Sequence, residues 1–190
     1  MEYPIKTIQH NGFTININYD IGAESPREWC NLGLIVGNHR HYNLVDDCNP
    51  YGGEYGSYES DFKVYLKKSH KESIDNVVAL PVYLYDHSGI TLNTTGFSCR
   101  WDSGQLGYIF VSKKDIRKEY NVKRVSNKLI SRVEEYLVNE IKVLSQYAEG
   151  EVYSFEVFDE NGNFFDCCGG FYDLDDAVIE AKNISYRNVA

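Results

Sequence analysis

The residue types of a hydrolytic site occur together in one stretch of this chain. Pro81 to Val111 reads PVYLYDHSGITLNTTGFSCRWDSGQLGYIFV, with Asp86, His87 and Ser88 ending an apolar run and Arg100, Trp101, Asp102 and Ser103 preceding a second one. Polar and aromatic residues gathered at strand ends are where scaffolds commonly carry function. Aspartate, histidine and serine are the members of a general-base relay, but three adjacent residues cannot face one another in relay geometry. A further member would have to come from Asp102 or Ser103, and no GxSxG turn exposes a serine nucleophile. Asp86, His87, Arg100 and Asp102 therefore stand as a candidate polar site, for a small hydrolase or for nucleotide binding. The simpler expectation is a turn at His87-Ser88-Gly89 with Asp86 accepting backbone N–H bonds. If 97–101 is a strand, Arg100 and Asp102 share a face and pair, while Trp101 points the other way into the core.

Other chemistry is weaker. His39 and His41 share a face of an extended segment, and Cys30 and Cys48 are conceivable co-ligands. Zinc needs three or four ligands, and no diagnostic pair follows, so no metal site is expected. Neither GxxxxGK[ST] nor a GxGxxG between strand and helix occurs, and no cofactor is implied. The five cysteines, at 30, 48, 99, 167 and 168, form no CxxC pair and are odd in number, which suits a reduced cytosolic chain without a disulfide framework. The start, MEYPIKTIQHNGFTI, lacks the basic and apolar regions of a signal peptide, and no run approaches a membrane span. The expected location is the cytoplasm, with no membrane partner.

The net charge of -9 is unevenly spread. Residues 113–142 carry nine Lys/Arg against five Asp/Glu, whereas 143–190 carry two against ten. Direct nucleic-acid binding is not expected of such an acidic chain; its one candidate surface for it is the basic stretch 113–132, and alternating charge on a helix usually marks a solvated face. The carboxylates Asp159, Glu160, Asp166, Asp173, Asp175 and Asp176 form the candidate surface for a basic partner. Sixteen tyrosines against one methionine suit half-buried sheet faces and recognition surfaces.

These residues must be positioned by an α+β fold. At 190 residues, 43% of them hydrophobic, the chain fits one domain with a real core. Residues 3–9 and 13–19 read as a hairpin about His10-Asn11-Gly12. Ser25-Pro26-Arg27-Glu28 reads as a short helix start, and 43–57 as a loop. A charged surface helix over 60–73 turns Phe62, Tyr65 and Leu66 inward. Residues 77–85 form an apolar strand in which Pro81 demands an edge or a bulge. A hairpin pairs 97–101 with 105–111, Ser112 caps a short helix ending near Tyr120, and the longest helix runs from about Ser126 to Tyr147. Its Leu129, Val133, Tyr136, Leu137, Ile141 and Leu144 recur at helical spacing. Gly150 ends it, and strands 151–158 and 164–171 about Asn161-Gly162 lead to a helix from Asp173 to about Ser185. Strands in neighbouring pairs with helices between them argue for a single domain with a largely antiparallel sheet.

SPREWCNLGLIVGNHRHYNL (25–44), LPVYLYDHSGITL (80–92), FSCRWDSGQLGYIFVSKKDIRKEYNVKRVS (97–126) and VYSFEVFDENGNFFDCCGGFY (152–172) resemble a family of small proteins from phages and mobile elements of Gram-positive bacteria. The likeness runs from Ser25 to Tyr172 and assigns no catalytic residue; the 50–57 loop and the segment after Tyr172 depart from it. The resemblance implies a phage-borne setting, in which inhibitors of host defence, anti-CRISPR and anti-restriction proteins among them, are a leading class. The expectation is a non-enzymatic inhibitor that meets a bacterial defence protein, a nuclease or its nucleic-acid-binding surface, through an acidic, tyrosine-rich face. The rivals are the hydrolase or nucleotide-binding protein built on Asp86, His87, Arg100 and Asp102, and a phage nucleic-acid-binding accessory protein using 113–132.

Overall fold

The computed structural model describes residues 3–187. In chain order the elements are β1 (Lys6–His10), β2 (Phe13–Tyr19), β3 (Leu34–Gly37), β4 (Asp47–Cys48), α1 (Tyr58–Tyr65), β5 (Val77–Asp86), β6 (Ile90–Asn93), β7 (Ser103–Ser112), α2 (Lys113–Glu119), α3 (Asn127–Glu149), β8 (Tyr153–Phe158), β9 (Phe164–Phe171) and α4 (Leu174–Arg187). The class is α+β, and every strand pairing except the short β3–β4 one is antiparallel. The strands make two sheets rather than one, and the chain divides into two compact units.

The first unit comprises the described residues up to Pro26 and those from Gln146 on. Its sheet runs β1-β2-β8-β9. Asn11 and Gly12, both at positive φ, close the β1–β2 hairpin as the sequence led us to expect. Alternation along FTININY turns Ile15 and Ile17 to one face, where with Phe155 and Val157 they meet Val178 and Ala181 of α4. Asp173 caps α4 by accepting from Asp175 N–H (2.8 Å) and Asp176 N–H (3.3 Å). The Tyr186 ring stands edge-on to His10, 4.8 Å away, so α4 returns toward the β1–β2 turn.

The second unit is Arg27–Ser145, with sheet order β4-β3-β7-β5-β6. One sheet face carries Val36 and Phe110, covered by Phe62, Tyr65 and Leu66, so the inward-facing residues expected between 60 and 73 are in the core. The helix itself is shorter: α1 passes into a single π turn over Leu66–His70 and stops at Lys71, which is left-handed. On α3, Val133, Leu137, Ile141 and Leu144 are buried as the periodicity predicts, whereas Tyr136 is exposed. Gly107 lies opposite Gly37 with room for no side chain, because a Cβ on Gly107 would collide with the Val36 carbonyl. Pro81 lies before β6 begins to pair at Tyr83, so its missing N–H leaves no ladder bond unmade on that side. Ser112 caps α2 through its hydroxyl, which accepts from Asp115 N–H at 3.0 Å.

Two expectations fail here. Residues 97–101 are not a strand; 105–111 lie in β7, which pairs with β3 and β5 instead, and the other partner of β5 is Ile90–Asn93. Asn93 stops that strand by accepting from the Thr95 and Gly96 N–H groups, with Gly96 at φ 86, and the following residues run irregularly to Ser103. Ser25-Pro26 starts only a 3-10 turn over Pro26–Glu28.

Candidate functional site

Three irregular segments of the second unit converge where the sequence placed its polar candidates. The first, 38–42, follows β3; the second is the β5–β6 turn at His87-Ser88; the third, 97–102, precedes β7. His87 Nδ1 lies 3.3 Å from Asp102 Oδ2, and the Cys99 thiol donates to the same oxygen at 3.6 Å. The Asp86 N–H donates to the Asp102 carbonyl at 2.8 Å. Tyr42 O–H donates to Asp86 Oδ2 at 3.1 Å, a bond that holds the phenol above its ordinary pKa. The His39 ring stacks on Tyr42 with centroids 5.0 Å apart, and Tyr85 stacks on both His87 and Phe97.

Asp86, His87 and Asp102 are thus brought together, across a gap in sequence that loop 97–102 closes. Arg100 is exposed and pairs with neither aspartate; among the described residues it makes no ion pair. The pairing expected of Arg100 and Asp102 required a strand that does not form. For the same reason Trp101 is not in the core: it is 95% exposed. The turn at His87 does form, with Ser88 at φ 59 and the His87 N–H donating to the Gly89 carbonyl. The Asp86 carboxylate serves Tyr42 rather than backbone N–H groups.

The connectivity also bears on chemistry. In a nucleophilic relay the imidazole sits between carboxylate and nucleophile. Here the Asp102 carboxylate sits between imidazole and thiol. Ser103, the other nucleophile type, gives its hydroxyl proton to the Cys99 carbonyl. Among the described residues no group of three or more His, Cys, Asp or Glu side chains is arranged to hold a metal ion. His41 N–H donates to His39 Nδ1 at 3.3 Å, so the two histidines are joined to each other.

Two clefts adjoin this cluster. One, about 460 Å³, is lined by His39, Arg40, His41 and Tyr58; the other, about 620 Å³, by Phe97, Ser98 and Arg100; Gly104 and Gln105 border both. The base of the 38–46 loop is pinned by a network that the sequence did not reveal. Asp46 accepts from Arg27 Nε (2.9 Å) and from Ile35 N–H (2.6 Å), while Arg27 also bonds Glu140 (2.9 Å). Burial works against the guanidinium charge, and the bonds to Asp46 and Glu140 outweigh it, holding Arg27 above its ordinary pKa. The only signal in sequence is a set of charged residues in apolar surroundings, and the partners are up to 113 residues apart.

The carboxylates expected to meet a basic partner lie in the first unit, spread along one edge. Asp159 builds the β8–β9 turn by accepting from Asn161 N–H (2.9 Å), Asn163 N–H (2.8 Å) and Asn163 Nδ2 (3.0 Å). The Asn163 side chain, then its backbone, holds Asp159 below its ordinary pKa. Glu160 is exposed beside it, and Asp166 is exposed on β9, which has β8 on one side and no strand on the other among the described residues. Asp173, Asp175 and Asp176 stand past the far end of β9, roughly 20 Å from the turn at ~3.3 Å per strand residue. They also complement the start of α4. The six carboxylates therefore form a line along an edge rather than one patch.

In the basic stretch, Arg132 lies over the Tyr120 ring at 5.6 Å and Lys113 donates to the Asp75 carbonyl, so part of it is engaged within the unit. Among the described residues no helix is long and apolar enough to cross a membrane. No protein-family model, no curated protein and no solved structure matches this chain.

Proposed function

We propose that this chain is a non-enzymatic binding protein that meets a basic surface of a bacterial defence nuclease, as an inhibitor of the anti-CRISPR or anti-restriction type, in the host cytoplasm. The observation that carries the reading is β9. Every residue from Phe164 to Gly170 is exposed, Phe164 is 60% exposed, and the strand is bordered by carboxylates at both ends and in the middle. An open strand edge offers backbone groups for pairing and its aromatics offer anchors, while the flanking charge steers a basic partner to it. The resemblance of residues 25–172 to phage and mobile-element proteins supplies the class of partner.

The test begins with capture from a bacterial lysate by the full chain and identification of what is held. Association is then followed at two ionic strengths for the wild type and for the variant combining Glu160→Lys with Asp166→Lys. Asp159 is left in place because its carboxylate builds the turn. The variant is expected to associate at least ten-fold more slowly at low salt, with a flatter salt dependence. An unchanged association rate at low salt would remove the acidic edge from the interface.

A further inference from the structure

The loop cluster of the second unit presents a different chemistry from the acidic edge. Trp101, one of two tryptophans in the chain, is 95% exposed beside an exposed Arg100. An indole left in water adds no burial to folding, so the Trp101 ring is open to be covered by a ligand. Arg40, between His39 and His41, is exposed and lines the adjoining cleft, and like Arg100 makes no ion pair among the described residues. The two carboxylates of the cluster are both engaged: Asp86 by Tyr42, Asp102 by His87 and Cys99. In a chain of net charge -9 this region therefore offers unpaired cationic side chains, a bare aromatic face and two clefts that share the wall at Gly104 and Gln105.

A planar guanidinium holds phosphate through paired N–H donors, and an exposed indole stacks nucleobases irrespective of their sequence. We propose that this cluster binds a nucleobase carried on phosphates. The base stacks on Trp101, the adjacent phosphate is held by Arg100, and the next phosphate lies toward Arg40 in the neighbouring cleft. A polyphosphate nucleotide and a single strand of nucleic acid both supply this chemistry. No bond is broken, because the cluster positions no nucleophile against a base.

The experiment titrates the full chain, by calorimetry, with adenosine triphosphate, with a twelve-residue oligodeoxythymidylate and with inorganic phosphate. At least one of the first two should bind below millimolar concentration, and phosphate alone should bind much more weakly. Trp101→Ala should weaken binding roughly 5- to 150-fold, the range of one lost base stack. Arg100→Ala should weaken it about ten-fold and flatten the salt dependence. Both side chains stand in solvent, so both variants should melt as the wild type does. Tight triphosphate binding identifies a free nucleotide as the ligand; oligonucleotide binding alone identifies a strand. The proposal is overturned if neither probe binds, if phosphate binds as tightly as either, or if both substitutions leave the affinity unchanged. Glu160→Lys with Asp166→Lys, in the other unit, should not alter these titrations, so this site and the acidic edge stand or fall separately.

Discussion

Removing the Asp46 carboxylate should cost the second unit far more than an ordinary surface ion pair. Asp46 accepts three hydrogen bonds, from Arg27 Nε at 2.9 Å, Arg27 Nη2 at 2.5 Å and Ile35 N–H at 2.6 Å. The Arg27 and Asp46 side chains are 11% and 19% exposed. Breaking a buried pair by deleting one partner costs about 3–5 kcal/mol, because the other charge is left without compensation. Two features place Asp46→Ala at the low end, about 3 kcal/mol: Arg27 keeps Glu140, and the carboxylate retains some water. With a urea dependence of about 1–3 kcal/mol per molar, the midpoint should fall by about 1–3 M. Urea unfolding followed by tryptophan fluorescence is the suitable assay, since Trp29, about half exposed in the fold, belongs to this unit. The same substitution releases the base of the loop carrying His39, Arg40 and Tyr42, so nucleotide binding should weaken too. A loss below about 0.5 kcal/mol, the level of an ordinary surface substitution, would refute the reasoning and reduce the network to a solvated bridge.

Two further outcomes follow from buried contacts. Tyr65 O–H donates to Asp47 at 2.6 Å and accepts from His70 Nε2 at 2.9 Å, so Tyr65→Phe should cost about 1–2 kcal/mol at neutral pH. Burial, then the bond to Asp47, raises the Tyr65 pKa; the native state thus keeps this proton where the unfolded chain loses it. That contribution is complete below the ordinary tyrosine value near 10 and is lost as pH rises through the folded value, so urea midpoints at pH 9 and 11 should differ more for the wild type than for the Phe variant. Gly107→Ala should destabilise the second sheet by about 3 kcal/mol, because the Cβ meets backbone that cannot yield, whereas Gly104→Ala, with open space around it, should stay within about 0.5 kcal/mol; thermal melting of the pair checks both.

Local elements were legible where a short run of residues decides its own conformation. Asn11-Gly12 adopts positive φ because few other residues tolerate it, and Ser112 caps α2 with a hydroxyl three residues from the N–H it serves. The spacing of Val133, Leu137, Ile141 and Leu144 identified the buried stripe of α3, and the alternation in FTININY identified the buried face of β2. The exposed Tyr136 shows the limit of such patterns: helical spacing tells which side is inward only where a neighbour covers it.

What only the tertiary structure decided is how distant segments meet. The strands sort into two sheets because β2 pairs with β8 and β3 with β7, pairings between residues far apart in sequence that no local pattern encodes. A two-residue period places Trp101 in the core only within a strand; Asn93 ends the strand before 97–101 and Trp101 stands exposed. The sequence joins Arg100 to Asp102, whereas folding joins His87 and Cys99 to Asp102 and Tyr42 to Asp86. Side-chain chemistry is written in the sequence residue by residue. Which donors reach which acceptors depends on loop paths fixed by packing elsewhere in the molecule, so Asp86, His87 and Asp102 could be singled out in advance, and their bonds to Tyr42 and Cys99 could not.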